Sequence, residues 1–282
     1  MKHYKPFTKS RRGMTTVSYS EHLTTDTPHK ALVSGFKHRV GRNSDGRITV
    51  RHKGGGHKRL YRHVDFVFDK KDIPAVVQTI EYDPNRTGFI ALVCYKDGEK
   101  RYILSPKDLK VGDSIIVSEK AELKTGNRTL LKNIPVGAFV HSVSIQPSGV
   151  AQLGRSAGNF IQVIAQDAGM THLKMPSTEV RKVLDTAWGS IGTVSNDENW
   201  LVNIGKAGRS RWMGIRPTVR GMVMNPVDHP YGGGEGKQGR GLRRAKTMWG
   251  KPSGKGQKTR TPKRYSNQFI VSRRKVGKKK EA

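Results

Sequence analysis

The chain has 282 residues, with 53 Lys and Arg against 22 Asp and Glu, a formal charge of +31. Self-repulsion of that size gains a compact domain nothing, so the excess implies a polyanionic partner. Hydrophobic residues at 34% still allow a core, and Cys94 as the single cysteine excludes an internal disulfide and a multi-cysteine zinc site.

The charge divides along the chain. Residues 1–60 hold 14 basic and 3 acidic side chains (+11), residues 61–200 hold 17 and 16 (+1), and residues 201–282 hold 22 and 3 (+19). A uniformly charged, solvated surface would not divide this way, whereas basic arms on a near-neutral body are the footprint of nucleic-acid binding. The N-terminal stretch MKHYKPFTKSRRGMTT has no apolar segment of the secretory type, and the longest apolar run, Phe89–Tyr95, is far too short for a membrane span. A cytoplasmic or organelle-matrix compartment is expected.

In chain order, residues 1–60 lack helical periodicity and predict an extended basic arm. Val64–Phe68 has β-type composition, Ala75–Tyr82 predicts a strand, and the turn-forming Asp83–Gly88 leads into Phe89–Tyr95. Lys96–Glu99 is a hairpin turn, followed by Lys100–Leu104 and Asp113–Val117. This texture predicts a small OB-type barrel over 61–120. After the polar stretch Glu119–Lys132, candidate strands Ala138–Ile145, Phe160–Ala165, Thr171–Met175, Val180–Leu184 and Ser190–Val194 suit an SH3-like barrel over 121–200. Short helical turns are expected at Asn199–Ile204 and Lys206–Arg211. Residues 201–282 return to Gly, Lys and Arg as a second basic extension. The fold class is therefore mainly β, two barrels between extended basic arms.

The motifs concentrate in the arms. Arg51, His52, Lys53, Gly54, Gly55, Gly56, His57, Lys58 and Arg59 place three glycines between cationic clusters. Glycine lets a backbone approach phosphates closely while the flanking charges neutralise them; a flexible basic linker is the competing reading. No phosphate-loop pattern fits the segment. The stretch from Asn225 to Gly236 combines two prolines with four glycines. Asp228 beside His229 resembles half of a catalytic triad, but no serine lies within the segment and its apolar content offers no dry pocket. A rigid loop threaded through folded RNA fits better, with Asn225 and Asp228 able to reach hydrated Mg²⁺.

Other residues carry weaker signals. His52 and His57 share no helix face and lack cysteine partners, so no zinc site is expected. Cys94 is expected as a buried inert thiol, His141 as a satisfied core or edge histidine, and Trp188 as core. Trp212 and Trp249 lie among basic residues and are candidates for stacking on a base. The run Lys275–Lys280 is read as backbone-binding, with a disordered solvated run as the competing reading.

Four motifs make the chain recognisable: GRNSDGRITVRHKGGGHKR (Gly41–Arg59), EYDPNR (Glu81–Arg86), the segment from Gly205 through RPTVRG (Arg216–Gly221), and MNPVDHPYGGGEG (Met224–Gly236). Together, and in this order from about Tyr4 to about Arg274, they resemble the bacterial-type large-subunit ribosomal protein L-two family. The resemblance implies an OB-type barrel followed by an SH3-like barrel, binding of large-subunit ribosomal RNA, contact with neighbouring ribosomal proteins, subunit assembly and association, and a position near the peptidyl transferase centre. It implies a structural protein of the ribosome, bacterial or organellar, rather than an enzyme. It implies no cofactor beyond Mg²⁺ accompanying RNA. Its direct competitor is acid/base participation in peptidyl transfer through His229. The expected RNA-binding residues, besides the Arg51–Arg59 set, are Arg86, Lys206, Arg209, Arg211, Trp212, Arg216, Arg220, Asn225, Asp228, His229, Gly232, Gly233 and Gly234. Tyr231 stands where the family usually has a second histidine, so no imidazole role carries over there. Gln238–Ser253 is unusual in length and composition for the family.

Overall fold

Small and β-branched side chains alternate with exposed ones at the start of Ala75–Glu81 (β1): Ala75 and Val77 point inward, Val76 and Gln78 outward. A bulge between Val77 and Thr79 shifts the phase, so Ile80 rejoins the core. Ile90–Tyr95 (β2), Lys100–Leu104 (β3) and Ser114–Ile115 (β4) complete an antiparallel sheet in the order β3-β2-β1-β4. The β2–β3 turn at Lys96–Glu99 places Gly98 at φ +88, where a side chain would be strained. The computed structural model describes residues 1–35, 37–147, 149–236, 239–254 and 260–274. Lys237, Gln238 and the run Lys275–Lys280 lie outside the described residues.

Two expectations need correction in this first barrel. Val64–Phe68 is not a strand, because the Asp65 carboxylate accepts the Val67 and Phe68 N–H groups at 2.8 and 3.0 Å, turning the chain. Only Val64 keeps a bridge, to Tyr102. Cys94 is half-buried rather than buried, since it sits between inward neighbours on β2.

The second barrel comprises Arg128–Leu130 (β5), Phe139–His141 (β6), Val143–Ser144 (β7), Ala151–Leu153 (β8), Ile161–Asp167 (β9), Met170–Lys174 (β10), Val180–Leu184 (β11), Trp188–Ile191 (β12) and Ile270–Ser272 (β13). Its seven-stranded sheet runs β13-β11-β10-β9-β6-β12-β5, and β7 pairs with β8 beside it. The apolar run Ala138–Ile145 is one strand by composition but two in space. Ser142 takes φ +48 between β6 and β7, so one segment serves two sheets. Leu131, Ile134, Val140, Val143, Ile161, Val163 and Leu173 close this core with no exposed surface. A second apolar cluster joins Ala75, Val77 and Val93 to Leu130, Ala151 and Trp188, so the two barrels share packing.

The chain separates into two compact units: Met1–Lys37 with Lys58–Ala207 and Gln268–Ala282, and His38–His57 with Gly208–Asn267. Both barrels belong to the first. Its N-terminal arm is extended in path but anchored: Thr15 Oγ1 donates to Leu201 O at 2.7 Å and accepts the Asn203 N–H at 2.8 Å. Met14 and Val17 are buried, and Val33–Gly35 pairs with Leu60–Arg62. The second unit is mostly irregular and is cross-tied by isolated bridges, Arg42 to Ile48, Lys53 to Ile215 and Lys246 to Pro252. The helical turns expected near 199–211 are the 3-10 segment Asp197–Leu201 and the helix Ala207–Trp212. Among the described residues no helix is long and apolar enough to cross a membrane.

Candidate nucleic-acid interface

In the second unit, two basic segments far apart in sequence are joined by backbone hydrogen bonds. Gly54 N–H donates to Gly214 O at 2.8 Å, His57 N–H to Trp212 O at 3.0 Å, and Arg216 N–H to His52 O at 3.0 Å. The pairing requires small residues at the crossing. A Cβ on Gly56 would lie 2.9 Å from Gly214 N and 3.0 Å from Trp212 O, and Gly214 itself takes φ +83 as the helix ends. His52 adopts φ +62, a rare angle for a residue with a side chain. The result gathers Arg51, His52, Lys53 and His57 with Arg209, Arg211, Trp212 and Arg216 on one piece of chain. Arg51, Lys53 and Arg216 are exposed, while Arg209 and Arg211 are half-buried. Among the described residues none of these cations is paired with a carboxylate. Trp212 is 50% exposed and tilts toward His57 with ring centroids 6.1 Å apart.

The Pro/Gly loop of the same unit closes on itself. His229 N–H reaches Asn225 O, Gly232 N–H donates to His229 O at 2.8 Å, and Gly233 N–H to Met224 O at 3.1 Å. A Cβ on Gly232 would sit 2.2 Å from Asn225 O, one on Gly233 2.6 Å from the Pro226 ring, and one on Gly221 2.5 Å from the His229 imidazole. Gly221, Gly232 and Gly233 are therefore each required by a close contact within the protein. The His229 ring is half-buried, and its Nδ1 accepts the Tyr231 N–H at 3.1 Å. Tyr231 packs 4.8 Å from that ring, accepts the Lys246 N–H on its hydroxyl at 2.5 Å and carries the Arg240 guanidinium over its face. Asn225, Asp228, Arg220 and Gly234 are exposed.

The barrel unit holds a separate group. Asp83 is fully buried and accepts from Arg86 Nε at 2.5 Å, while its other oxygen accepts the Asn85 N–H at 2.9 Å. Arg59 donates to Pro84 O at 2.7 Å on the same turn. The guanidinium of Arg86 lies 5.4 Å from the Phe66 ring, and that of Arg155 lies 4.7 Å from the same ring. Both guanidinium groups thus lie against the same aromatic ring, within cation–π range. Phe66 and Arg155 were absent from the sequence expectation. Arg155 is a lone cation in a neutral segment, and only the fold brings it to Phe66. Lys58 and Lys206 are exposed.

Burial places Trp188 and His141 in the core, 7% and 2% exposed, but the His141 Nε2 has no hydrogen-bond partner among the described residues, contrary to the expectation of a satisfied histidine. Desolvation, with the Arg128 charge nearby, pushes the His141 pKa down to about 3, so its ring is neutral. Trp200 and Trp249 are 81% and 72% exposed. Among the described residues no three His, Cys, Asp or Glu side chains gather as a metal cage.

Comparison with known protein families finds two matches in tandem. Residues 29–117 match the domain described as "Ribosomal Proteins L2, RNA binding N-terminal domain". Residues 124–250 match "Ribosomal Proteins L2, C-terminal domain". The first match includes Arg51–Arg59, Phe66 and Arg86, and the second includes Arg155, Arg209–Arg220 and the Pro/Gly loop.

Proposed function

Because the chain belongs to the ribosomal protein L2 family, a family of structural, RNA-binding ribosomal proteins, we propose that it is built into the large ribosomal subunit. There it binds large-subunit RNA, supports assembly and subunit association, and buttresses the peptidyl transferase region. The observation carrying this reading is the joining of Arg51–His57 to Arg209–Arg216 into one cationic surface, exposed at Arg51, Lys53 and Arg216 and without carboxylate partners among the described residues. A phosphate backbone neutralises such a surface. The exposed oxygens of Asn225 and Asp228 suit a hard cation accompanying RNA, such as hydrated Mg²⁺.

The acid/base alternative finds little support around His229. Its Nδ1 is engaged by the Tyr231 amide. The test is single-turnover peptide-bond formation on assembled subunits carrying His229→Gln. Near-normal rates are expected. A loss of about a hundredfold or more, the scale of a missing general base, with composition and tRNA binding intact, would overturn the structural reading.

A further inference from the structure

Arg128, on β5 of the barrel unit, is a buried cation without a counter-ion. It is 2% exposed. Its guanidinium donates to three neutral acceptors: Ser142 O at 2.6 Å, Ser190 Oγ at 3.1 Å and Trp188 O at 3.4 Å. It also stacks 4.3 Å from the Phe68 ring. Among the described residues no carboxylate pairs with it, and Asp65 is already occupied by Arg101 and two backbone amides. Burying an unpaired charge is costly, and such a charge ordinarily finds a partner of opposite sign.

The backbone around Arg128 is also held in rare conformations. Phe68, whose ring lies under the guanidinium, takes φ +55; Asp72 takes φ +59; Ser142, whose carbonyl accepts from it, takes φ +48. None is glycine, and angles of this kind in non-glycine residues cluster where a site must be held in place. The short segment between Phe68 and Asp72 carries Lys71, whose ammonium lies 5.0 Å from the Trp188 ring. Arg128, Lys71, Phe68, Trp188, Asp69 and Gly149 all line one open cleft of about 290 Å³. The single carboxylate in that lining, Asp69, is bonded to Arg101, so the cleft keeps the positive charge of Lys71 and Arg128.

From the convergence of a buried unpaired guanidinium, a lysine and rare backbone angles on one open cleft, we infer that the cleft between Lys71 and Arg128 receives a phosphate group of the RNA backbone. The inference rests on the RNA-binding reading above and adds a contact site on the barrels themselves. Lys71 supplies the accessible charge and Arg128 the field from behind it. The cleft has room for a phosphate and some of its waters.

The experiment uses the full chain and the variant Lys71→Gln, which leaves the Arg128 packing in place. Inorganic phosphate is titrated against chloride at matched ionic strength, with backbone amide NMR signals as the readout. The amides of Val67 and Gly149 should shift saturably in the parent chain and not in Lys71→Gln. Shifts no larger than those at the remote turn glycine Gly98, or equal shifts in the variant, would overturn the site. Binding of large-subunit RNA is then measured against salt. Loss of one phosphate contact should flatten the log–log slope by about 0.7–0.9, a loss of roughly five- to eightfold in affinity near 0.1 M salt. A phosphate response with an unchanged RNA slope would overturn the assignment to RNA. Failure of the parent chain to bind the RNA at all would instead count against the proposed function.

Discussion

Replacing Gly232 with alanine tests whether the Pro/Gly loop is shaped by its own contacts. The added Cβ would lie 2.2 Å from Asn225 O, 2.4 Å from Asn225 C and 2.6 Å from Met224 O. All three are backbone atoms, so no side chain can swing away and the loop itself must open by about 1 Å or more. The hydrogen bonds from Gly232 N–H to His229 O and from Gly233 N–H to Met224 O span that gap. Losing two bonds at about 0.5–1.5 kcal/mol each costs roughly 1–3 kcal/mol locally, a 5- to 150-fold rise in loop opening. Amide hydrogen exchange over 224–233 in the free, full chain should report that rise directly. Gly208→Ala is the control: a Cβ there meets nothing within 4 Å in the helix Ala207–Trp212, so it should stabilise the helix by about 0.5–1 kcal/mol. Unchanged protection in Gly232→Ala, without RNA present, would refute the view that these glycines serve intramolecular packing.

Two further outcomes follow from burial and pairing. The His141 pKa is about 3 in the folded chain, against about 6.5 when unfolded, because burial disfavours the cation. The contribution of neutral His141 is thus fully present above pH 6.5 and is lost as pH falls toward 3, by about 1.4 kcal/mol per pH unit. Denaturant unfolding of the full chain across that window should show the slope, and His141→Gln should remove its share; an identical slope in the variant would refute it. Deleting residues 268–282 removes β13 and the Phe269 carbonyl that accepts the Lys182 N–H at 2.8 Å. With about 1–3 kcal/mol lost, the melting temperature should fall by roughly 2–12 °C. No change by calorimetry would mean that the strand contributes nothing to the barrel.

How much of this could be read beforehand depended on the range of the interactions. Lys100–Leu104 and Val180–Leu184 are strands as their composition and flanking turn signals predicted, because both signals are local. Val64–Phe68 failed for an equally local reason, a single aspartate side chain that captured two amides. Ile270–Ser272 was hidden among lysines and arginines, since a three-residue edge strand has too little pattern to show. In the interface, charge and glycine content marked the right segments. They did not show that Gly56, Gly232 and Gly233 approach their own chain. Phe66 with Arg155 was out of reach, because that contact joins residues from the two barrels.

The bridge between Lys53 and Ile215 has a consequence for the timing of biosynthesis. Ribosomes extend a chain at about 5–20 residues per second, so the glycine-rich segment leaves the exit tunnel roughly 8–30 s before the segment Arg209–Arg216 that completes it. During that interval the nascent chain carries Arg51 and Lys53 without the scaffold that orients them. Its grip on nucleic acid is then merely electrostatic and readily reversed by salt. The shaped surface comes into being only once residues 209–216 have emerged, after β1–β12 of the barrels but before β13. A protein with this much charge thereby postpones the shaping of that surface until most of its barrel strands have been made.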